Sequence, residues 1–332
     1  MGEATTAGLA IAPGQAEAAR EAAPARQGGQ VRGLAQEASD LIALTPGLVA
    51  FNLLYMLSAW LIALTAIAVA FTFPVWYILV LAFLVVSSRQ QALLNCEHEC
   101  VHRKFVRGKR ANELVGTWLC ASPVGSPFGA AQARHLAHHR LLALPGDPDH
   151  VLHSGEPPKN TRWGLVSYFA RGLLGAYAVM ILLGPKEDSA APSEGSALRD
   201  LAALVVTQLA IFAGLALAFD WWVYPALWLA PLVTVTALSH LIRNFAEHAV
   251  TEPEMTTNGN RLITIRSNPL ERGLIAPFNM NFHAEHHLLP SVPAPRLPEL
   301  QKRLESNDAL PPMLERSSYG FAIRHYLSAL RR

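Results

Sequence analysis

The chain has 332 residues, of which 51% are hydrophobic and only 16% are charged, and its mean hydropathy is +0.23. This composition is too apolar for an ordinary soluble domain and indicates a membrane protein. The formal net charge of +2 gives no sign of a nucleic-acid partner.

The chain begins with a polar segment, residues 1–40, that is rich in Ala, Gly, Glu and Gln. It contains no apolar stretch of the kind found in a secretory signal peptide, so we expect a disordered tail. Residues 41–305 are predicted to form one membrane domain. Residues 306–332 are expected to be a C-terminal segment on the cytosolic side.

Four long apolar runs follow the tail, and the spans are predicted near residues 48–71, 75–95, 199–219 and 222–243. At about 1.5 Å per residue, about 20 residues cover the roughly 30 Å of hydrocarbon in a bilayer. Very short turns join the spans in pairs, and Trp and Tyr beside both turns suit the membrane interface. The predicted fold is therefore all-α and integral to the membrane, with four transmembrane helices in two hairpins.

The part between the hairpins is predicted to be a helical cap. Residues 111–119 and 163–183 are moderately apolar but are interrupted by glycine and arginine, which suits helices at the membrane surface or in the cap. The polar run at residues 186–196 is expected to be a flexible connector into the third span.

Positive charge predicts the orientation of these spans. All 27 Lys and Arg residues lie outside the two hairpin turns, with 3 before the first span, 13 from Arg89 to Arg199 and 11 from Arg243 onward. Because such residues accumulate on the cytosolic side, both termini and the cap are expected in the cytosol. Cys96, Cys100 and Cys120 fall near this layer, where thiols stay reduced, so we expect no disulfide.

Histidine carries the strongest chemical signal. Thirteen histidines occur, and three clusters have helical spacing. Neighbours at i+3 and i+4 share one face of a helix, so each cluster can aim its imidazoles at one point. Three clusters of such similar spacing in one chain predict metal ligation. The clusters are His98 and His102, then His135, His138 and His139, and finally His283, His286 and His287.

A fourth contribution is expected from the end of the last span, where His240, Asn244 and His248 form a stripe one helical turn apart. Both His98 and His248 lie roughly 35 Å along their helices from the preceding hairpin turn. They should therefore emerge from the membrane at the same height. Nine imidazoles are too many for one ion and suit two, with four or five ligands each, and imidazole alone allows Zn, Cu, Fe or Ni.

A zinc protease is the first alternative, because His98, Glu99 and His102 match the H-E-x-x-H pattern. Such an enzyme needs this pair, a glutamate base and one more ligand. At least six clustered histidines would then have no role. The intramembrane kind also calls for an aspartate on another span, and the apolar runs contain none.

The order of the three clusters around two membrane hairpins resembles the integral-membrane fatty acid desaturase and hydroxylase superfamily of non-haem di-iron enzymes. Residues 279–300, NMNFHAEHHLLPSVPAPRLPEL, look like the third histidine box and tail of bacterial acyl desaturases. The resemblance covers roughly residues 45–305. It implies that the eight clustered histidines and His248 are the ligands of two iron ions. Outside the ligands, it implies supporting roles for Asn244, with His240 as its rival, and for Asp147 and Asp149. We also expect supporting roles for Glu99, which would orient a ligand imidazole, and for Glu285.

By this resemblance residues 41–305 are the catalytic domain, and the expected reaction is O2-dependent desaturation of a fatty acyl or other long alkyl chain. Hydroxylation, ring ketolation and oxidative decarboxylation stay open on the same scaffold, as does a metal-binding protein without catalysis. A separate ferredoxin, rubredoxin or cytochrome should supply electrons, because the chain has no haem-binding H-P-G-G stretch and no cysteine set for an iron–sulfur cluster. The expected location is the bacterial inner membrane.

Overall fold

The computed structural model of the chain describes residue 36 and residues 38–142, 146–176, 194–249, 262–306 and 314–330. The predicted tail falls almost wholly outside these described residues, as do residues 177–183 of the second cap helix and 186–193 of the connector. Met1–Asp40 and Leu41–Arg332 are two separate units. The features that follow belong to the second unit, apart from the first turn of helix.

The helices are numbered here in chain order. They are α1 (Ser39–Ile42), α2 (Pro46–Thr72), α3 (Trp76–Val101), α4 (Lys109–Val115), α5 (Phe128–Leu141), α6 (His150–His153), α7 (Arg162–Leu173), α8 (Glu194–Ala218), α9 (Ala237–His248), α10 (Pro269–Leu274), α11 (His283–Leu288), α12 (Leu297–Glu305) and α13 (Tyr319–Ala329). π-helical turns occupy Gly116–Ala121, Tyr224–Leu229 and Leu232–Thr236, and 3₁₀ turns occupy Ser122–Val124 and Ala294–Arg296. Two short strands, β1 (Ile263–Ile265) and β2 (Leu314–Arg316), pair in parallel.

The prediction of four spans is confirmed. Within the residues that the structure describes, four helices are long and apolar enough to cross a membrane, namely Pro46–Thr72, Trp76–Val101, Ala197–Ala218 and Tyr224–His248. The third helix begins earlier than expected, so residues 194–196 of the predicted connector are helical. This span also contains Asp200, which is 3% exposed, and the expectation of spans without aspartate is therefore wrong.

Small side chains hold the first hairpin together. α2 and α3 bury Ala63, Ile67 and Ala70 against Ala82 and Val86. Between helices in a membrane, small residues let the backbones approach closely, and packing rather than hydrophobic burial stabilises the contact. The opposite faces carry large exposed side chains such as those of Leu54, Leu61 and Leu81, as expected for surfaces that meet lipid.

The fourth span starts with π-helical turns because prolines interrupt it. Pro225 and Pro231 lack the backbone N–H that an α-helix would use, so the turns widen. A side chain of α3 satisfies one of the carbonyls in this region: the Gln90 amide donates to the Trp228 carbonyl at 2.7 Å, and the Thr236 hydroxyl donates to Gln90 at 2.9 Å. The two hairpins are thereby joined by hydrogen bonds as well as by packing.

The last turns of α3 and α9 are polar and yet buried. α3 has 26 residues, about 39 Å, which exceeds the hydrocarbon thickness of about 30 Å. Near its end the Asn95 amide donates to the Pro277 carbonyl at 2.6 Å, and Arg243 of α9 donates to the Asn95 side-chain oxygen at 2.5 Å. These bonds fix the ends of two spans and the chain that precedes α11.

The C-terminal residues pack on α9. Phe245 contacts Tyr326 of α13 with ring centroids 4.8 Å apart, and the Tyr319 hydroxyl donates to Glu247 at 2.6 Å. β1 and β2 are a small departure from an all-α fold, and the β-branched run Ile263–Ile265 accounts for β1. The predicted boundary at residue 305 stays a prediction. All three cysteines are buried and free.

Candidate metal centre

The nine predicted histidines converge from four elements at one end of the spans. They come from the end of α3, from α5, from the last residue of α9 and from α11. The nitrogen atoms form two sets, each with its members within 4.8 Å of one another. The five-histidine set is His98, His102, His135, His139 and His286, and the four-histidine set is His138, His248, His283 and His287.

In the five-histidine set, neighbouring Nε2 atoms lie close to one another. The Nε2 atom of His135 lies 2.9 Å from those of both His102 and His139, and the Nε2 atoms of His139 and His286 are 3.1 Å apart. The ring of His98 lies with its centroid 4.4 Å from those of His135 and His286. Three separate elements therefore present imidazoles to one point.

The four-histidine set has the same internal spacing. His283 Nε2 lies 3.0 Å from the Nε2 atoms of both His248 and His287. His138 completes the set, with its ring centroid 5.0 Å from those of His248 and His287. The two sets touch, because the rings of His139 and His287 stack with their centroids 4.0 Å apart.

Each of the two H-x-x-H-H clusters contributes two histidines to one set and one histidine to the other set. In α5 the i and i+4 residues join the five-histidine set and the i+3 residue, His138, joins the other. In α11 the i and i+4 residues join the four-histidine set and the i+3 residue, His286, joins the five-histidine set. Adjacent helical residues point about 100° apart, so a consecutive pair of histidines can serve two neighbouring ions.

The distances agree with nitrogen atoms that surround a common ion. Two ligand atoms about 2.1 Å from an ion are about 3.0 Å apart at 90° and about 3.4 Å apart at a tetrahedral angle. The nearest Nε2 pairs lie 2.9–3.1 Å apart, and all ligand atoms of a set lie within 4.8 Å of one another. A structural zinc site takes only four ligands, one fewer than the larger set contains.

Three imidazoles of the five-histidine set, those of His102, His139 and His286, are neutral at pH 7 and can therefore bind a cation. Burial, together with the nearby Lys104, lowers the pKa of His102 to about 4. Burial and the neighbouring His102 and His138 lower the pKa of His139 to about 2. Burial also holds the pKa of His286 well below its ordinary value. Only the neutral ring offers a lone pair to a metal.

His98 gives independent support for a bound ion. Both of its ring nitrogens are buried and hydrogen-bond to none of the described residues. A buried polar atom without a partner costs about 1–3 kcal/mol. One nitrogen faces the five-histidine set, where a metal ion would satisfy it. The residues present therefore fit a metal centre.

An unusual turn directs α11 back toward the other clusters. Phe278 and Asn279 both have positive φ, at 64° and 60°. Asparagine tolerates this left-handed region, whereas phenylalanine is strained there by about 1–3 kcal/mol. Aromatic packing holds Phe278 in place, with its ring centroid 4.5 Å from that of Tyr55. The chain reverses here and α11 begins at His283.

Two of the predicted supporting carboxylates contact a histidine of the sets. Glu99 is buried, lies 3.7 Å from His98 Nδ1 and accepts a hydrogen bond from the Ala294 amide at 2.9 Å. Asp147 accepts from His138 Nδ1 at 2.8 Å. Burial alone would raise the pKa of Asp147, but the hydrogen bonds from His138 and His153 outweigh it and hold its pKa below its usual value.

The other predicted supporting residues lie around this layer. Asp149 pairs with Arg134 and lies 3.9 Å from His138 Nδ1. The Asn244 amide donates to the carbonyl of His240, within its own helix, at 2.9 Å.

Glu285 lies on the side of α11 that faces β1. It accepts from the Thr264 hydroxyl at 2.9 Å, and burial raises its pKa to about 7. This hydrogen-bond partner lies in the strand and belongs to neither histidine set.

Sequence reasoning missed two buried groups beside the four-histidine set. Glu247 lies 3.6 Å from His283 Nδ1 and is held by Arg243 and by the Tyr319 hydroxyl. Glu247 is adjacent to His248 in the sequence, as Glu99 is adjacent to His98. This adjacency could have predicted a supporting role for Glu247. His153 contacts Asp147, and no spacing in the sequence pointed to it.

The fold and the site define a class of protein. It is a predominantly helical membrane protein with two adjoining histidine sets at one end of its spans. A family model described as fatty acid desaturase matches residues 74–316, and the chain belongs to that family. It is therefore an oxygen-dependent oxidoreductase of the membrane desaturase and hydroxylase type. Family membership also implies a lipid substrate and a membrane setting.

The relatives are named for two different oxidations, a desaturation and a ketolation. The chain is 25% identical to the dihydrorhizobitoxine desaturase of Bradyrhizobium elkanii over 239 residues, which is 68% of each protein. It is 28% identical to the beta-carotene ketolase of Paracoccus sp. strain PC1 over 210 residues, covering 62% of this chain and 72% of the ketolase. The beta-carotene ketolase of Paracoccus sp. strain N81106 is 26% identical over 208 residues.

Proposed function

We propose that the nine histidines hold two iron ions and that the enzyme uses O2 to remove hydrogen from an unactivated C–H bond of a long alkyl chain, with desaturation as the first choice. The observation that carries the proposal is the division of nine imidazoles into touching sets of five and four. Zinc has no redox chemistry, whereas a bound iron pair would activate O2, which is the oxidant that such a bond requires.

In this scheme the residues of the chain orient the ligand rings, hold the substrate and exclude water from the site. Asp147 is hydrogen-bonded to His138 Nδ1, which fixes the direction of that ring, and Glu99 places a carboxylate 3.7 Å from His98 Nδ1. The burial of His138, His248 and His286 keeps water away from the place where oxidation occurs. The substrate must be held with one methylene group in reach.

Oxygen insertion is the second candidate, and the two ketolases among the relatives favour it. The same site would then leave an alcohol or ketone in place of an alkene. Mass spectrometry of lipids and volatile hydrocarbons, from cells with and without the gene, separates alkene, oxygenated and chain-shortened products. An unchanged lipid and hydrocarbon profile would count against the proposed activity.

The electrons would come from a separate ferredoxin, rubredoxin or cytochrome, and we propose that this donor docks beside the end of α3. Arg103, Arg107, Lys109 and Arg110 are exposed there, close in sequence to His98 and His102. A positive surface attracts an acidic redox protein and speeds its association. The same charges support a cytosolic orientation of the site, and we propose that the membrane is the bacterial inner membrane.

The metal content is the first measurable consequence. Protein purified from iron-replete cells is expected to contain close to two irons per chain, because the two sets offer separate groups of five and four ligands. Elemental analysis of the purified protein gives this ratio. Zinc at one ion per chain in the same preparation would contradict the proposal and revive the protease alternative.

Glu99 distinguishes an oxidase from a protease. In the Glu99→Gln variant an amide oxygen can still accept from the Ala294 amide, but the negative charge near His98 is lost. We expect oxidation to fall by roughly 10–100-fold without disappearing, since Glu99 supports a ligand from outside the site. Product formation per bound iron is the measurement.

The matched control is Glu97→Gln, because Glu97 is equally buried and bonds to Ser126 rather than to a histidine. In a protease, Glu99 would be the general base, and its loss would abolish all activity. Asp200 gives the protease no help, because its carboxylate accepts from the Ala130 amide at 3.1 Å and belongs to neither histidine set.

A further inference from the structure

A tenth histidine lies beside the four-histidine set. His153, the last residue of α6, has no solvent exposure, and its ring centroid is 5.1 Å from that of His248 and 5.7 Å from that of His138. Its Nδ1 atom is buried and has no hydrogen-bond partner among the described residues. An imidazole buried at this cost needs an explanation beyond packing.

His153 is connected to the set through Asp147. Its Nε2 lies 3.0 Å from Asp147 Oδ2, while Asp147 Oδ1 lies 2.8 Å from His138 Nδ1 and accepts from the Asp149 amide at 2.9 Å. An ionised carboxylate only accepts hydrogen bonds, so both rings must direct N–H groups at it. In a neutral His138 ring this hydrogen bond places the proton on Nδ1, so that Nε2 offers the lone pair that a metal requires.

The backbone around His153 is anchored independently of the histidine sets. Lys159 donates to the Val151 carbonyl at 2.7 Å, and the Tyr168 hydroxyl donates to the Leu152 carbonyl at 3.3 Å. α6 is thus tied to residues that follow it in the chain. The ring of His153 therefore has a fixed position from which it can hold a neighbouring carboxylate.

We infer that His153 is a positioning residue that fixes the Asp147 carboxylate, which in turn fixes the tautomer and direction of His138 in the four-histidine set. This inference rests on the proposed function, because it assumes that the set holds a metal. Without the donor at Nε2 of His153, Asp147 Oδ2 would lose its partner and the carboxylate could rotate away from His138. The ion of the four-histidine set should then be held less tightly, while the five-histidine set keeps its own.

His138, Asp147 and His153 could instead be the ligands of a third metal ion. The ligand atoms of His138, Asp147 and His153 also lie within 4.8 Å of one another, as in a metal site. The chain of two hydrogen bonds accounts for the same distances without a third ion. Metal content decides between the two, because a third site would give three ions per chain.

The test compares His153→Gln with His153→Leu in the full chain in detergent. The glutamine amide nitrogen can take the place of Nε2 and donate to Asp147, whereas leucine fills the space without a donor. His150→Leu is the matched control, because His150 lies in the same helical turn with a side chain 41% exposed and pairs with Glu156. The readouts are iron per chain during exposure to a chelator and thermal unfolding of the metal-free protein.

We expect wild type, His150→Leu and His153→Gln to keep two irons. His153→Leu should release one of its two irons roughly 10–100-fold faster, while the metal-free chain still unfolds in one transition. The inference is overturned if His153→Leu keeps both irons as wild type does, if it loses both together, if glutamine fails to rescue, or if wild type binds three ions. A wild-type chain that binds no iron pair would overturn the proposed function itself, before any variant is measured.

Discussion

Alanine in place of His139 or His286 is expected to reduce product formation to background while the protein still inserts in the membrane. The Nε2 atoms of these two residues lie 3.1 Å apart and join α5 to α11 within the five-histidine set. Removing either ring takes one of the five ligands from an ion and leaves a buried gap in the centre of the site. Because a supporting residue already contributes roughly 10–100-fold, loss of a ligand should exceed about 100-fold.

The measurement is product per membrane-inserted protein by mass spectrometry, together with iron per chain. His150→Ala is the control, because its side chain is largely exposed and pairs with Glu156 outside both sets. Retained turnover in either variant would remove that residue from the ligand set. A variant that fails to reach the membrane is replaced by His139→Gln or His286→Gln, which keeps a polar side chain of similar size.

The spans and the convergence of the histidines could be predicted because each depends on local spacing. Long uncharged runs define the four membrane helices, and imidazoles at i and i+4 must share a helical face. His248 could be predicted as a ligand because it lies as far along its helix from the preceding hairpin turn as His98 does. In the structure both residues lie at the ends of long spanning helices. No knowledge of the tertiary fold was needed for these steps.

The division of the nine histidines between two sets could not be predicted, because it depends on the angle between α5 and α11. Spacing indicates that His135 and His139 point together, but not that His286 joins them and His283 does not. The same limit applies to His153, which comes to Asp147 only when the chain after α5 folds back. The count of nine imidazoles indicated two ions and the resemblance indicated iron, whereas the grouping into sets of five and four comes from the tertiary structure.

The structure departs from expectation where polar groups are buried. The spans were expected to contain no aspartate, yet Asp200 is buried in α8 because its carboxylate accepts from the Ala130 amide near the start of α5. A carboxylate at the N-terminus of a helix is stabilised by the unpaired N–H groups there. Asp200 thereby ties a span to the helix that carries three of the nine histidines.

Loss of Arg243 is expected to destabilise the fold by about 3–5 kcal/mol. Arg243 is 6% exposed and donates from Nε to both carboxylate oxygens of Glu247 at 3.2 Å, and from Nη1 to Asn95 of α3. In Arg243→Met the aliphatic part of the side chain is kept, but Glu247 remains buried without its cation. The measurement is the free energy of unfolding in detergent.

Two comparisons make this prediction specific to burial. Lys109→Met breaks an i, i+4 pair with Glu113 whose lysine side chain is 63% exposed, and such a pair contributes only about 0.3–0.5 kcal/mol. In the double variant Arg243→Met, Glu247→Leu both charges are absent, so part of the lost stability should return. Glu247 also lies 3.6 Å from His283 Nδ1, so the double variant should recover stability without recovering full iron binding in the four-histidine set. Equal destabilisation by Arg243→Met and Lys109→Met would show that the buried pair does not stabilise this end of the spans.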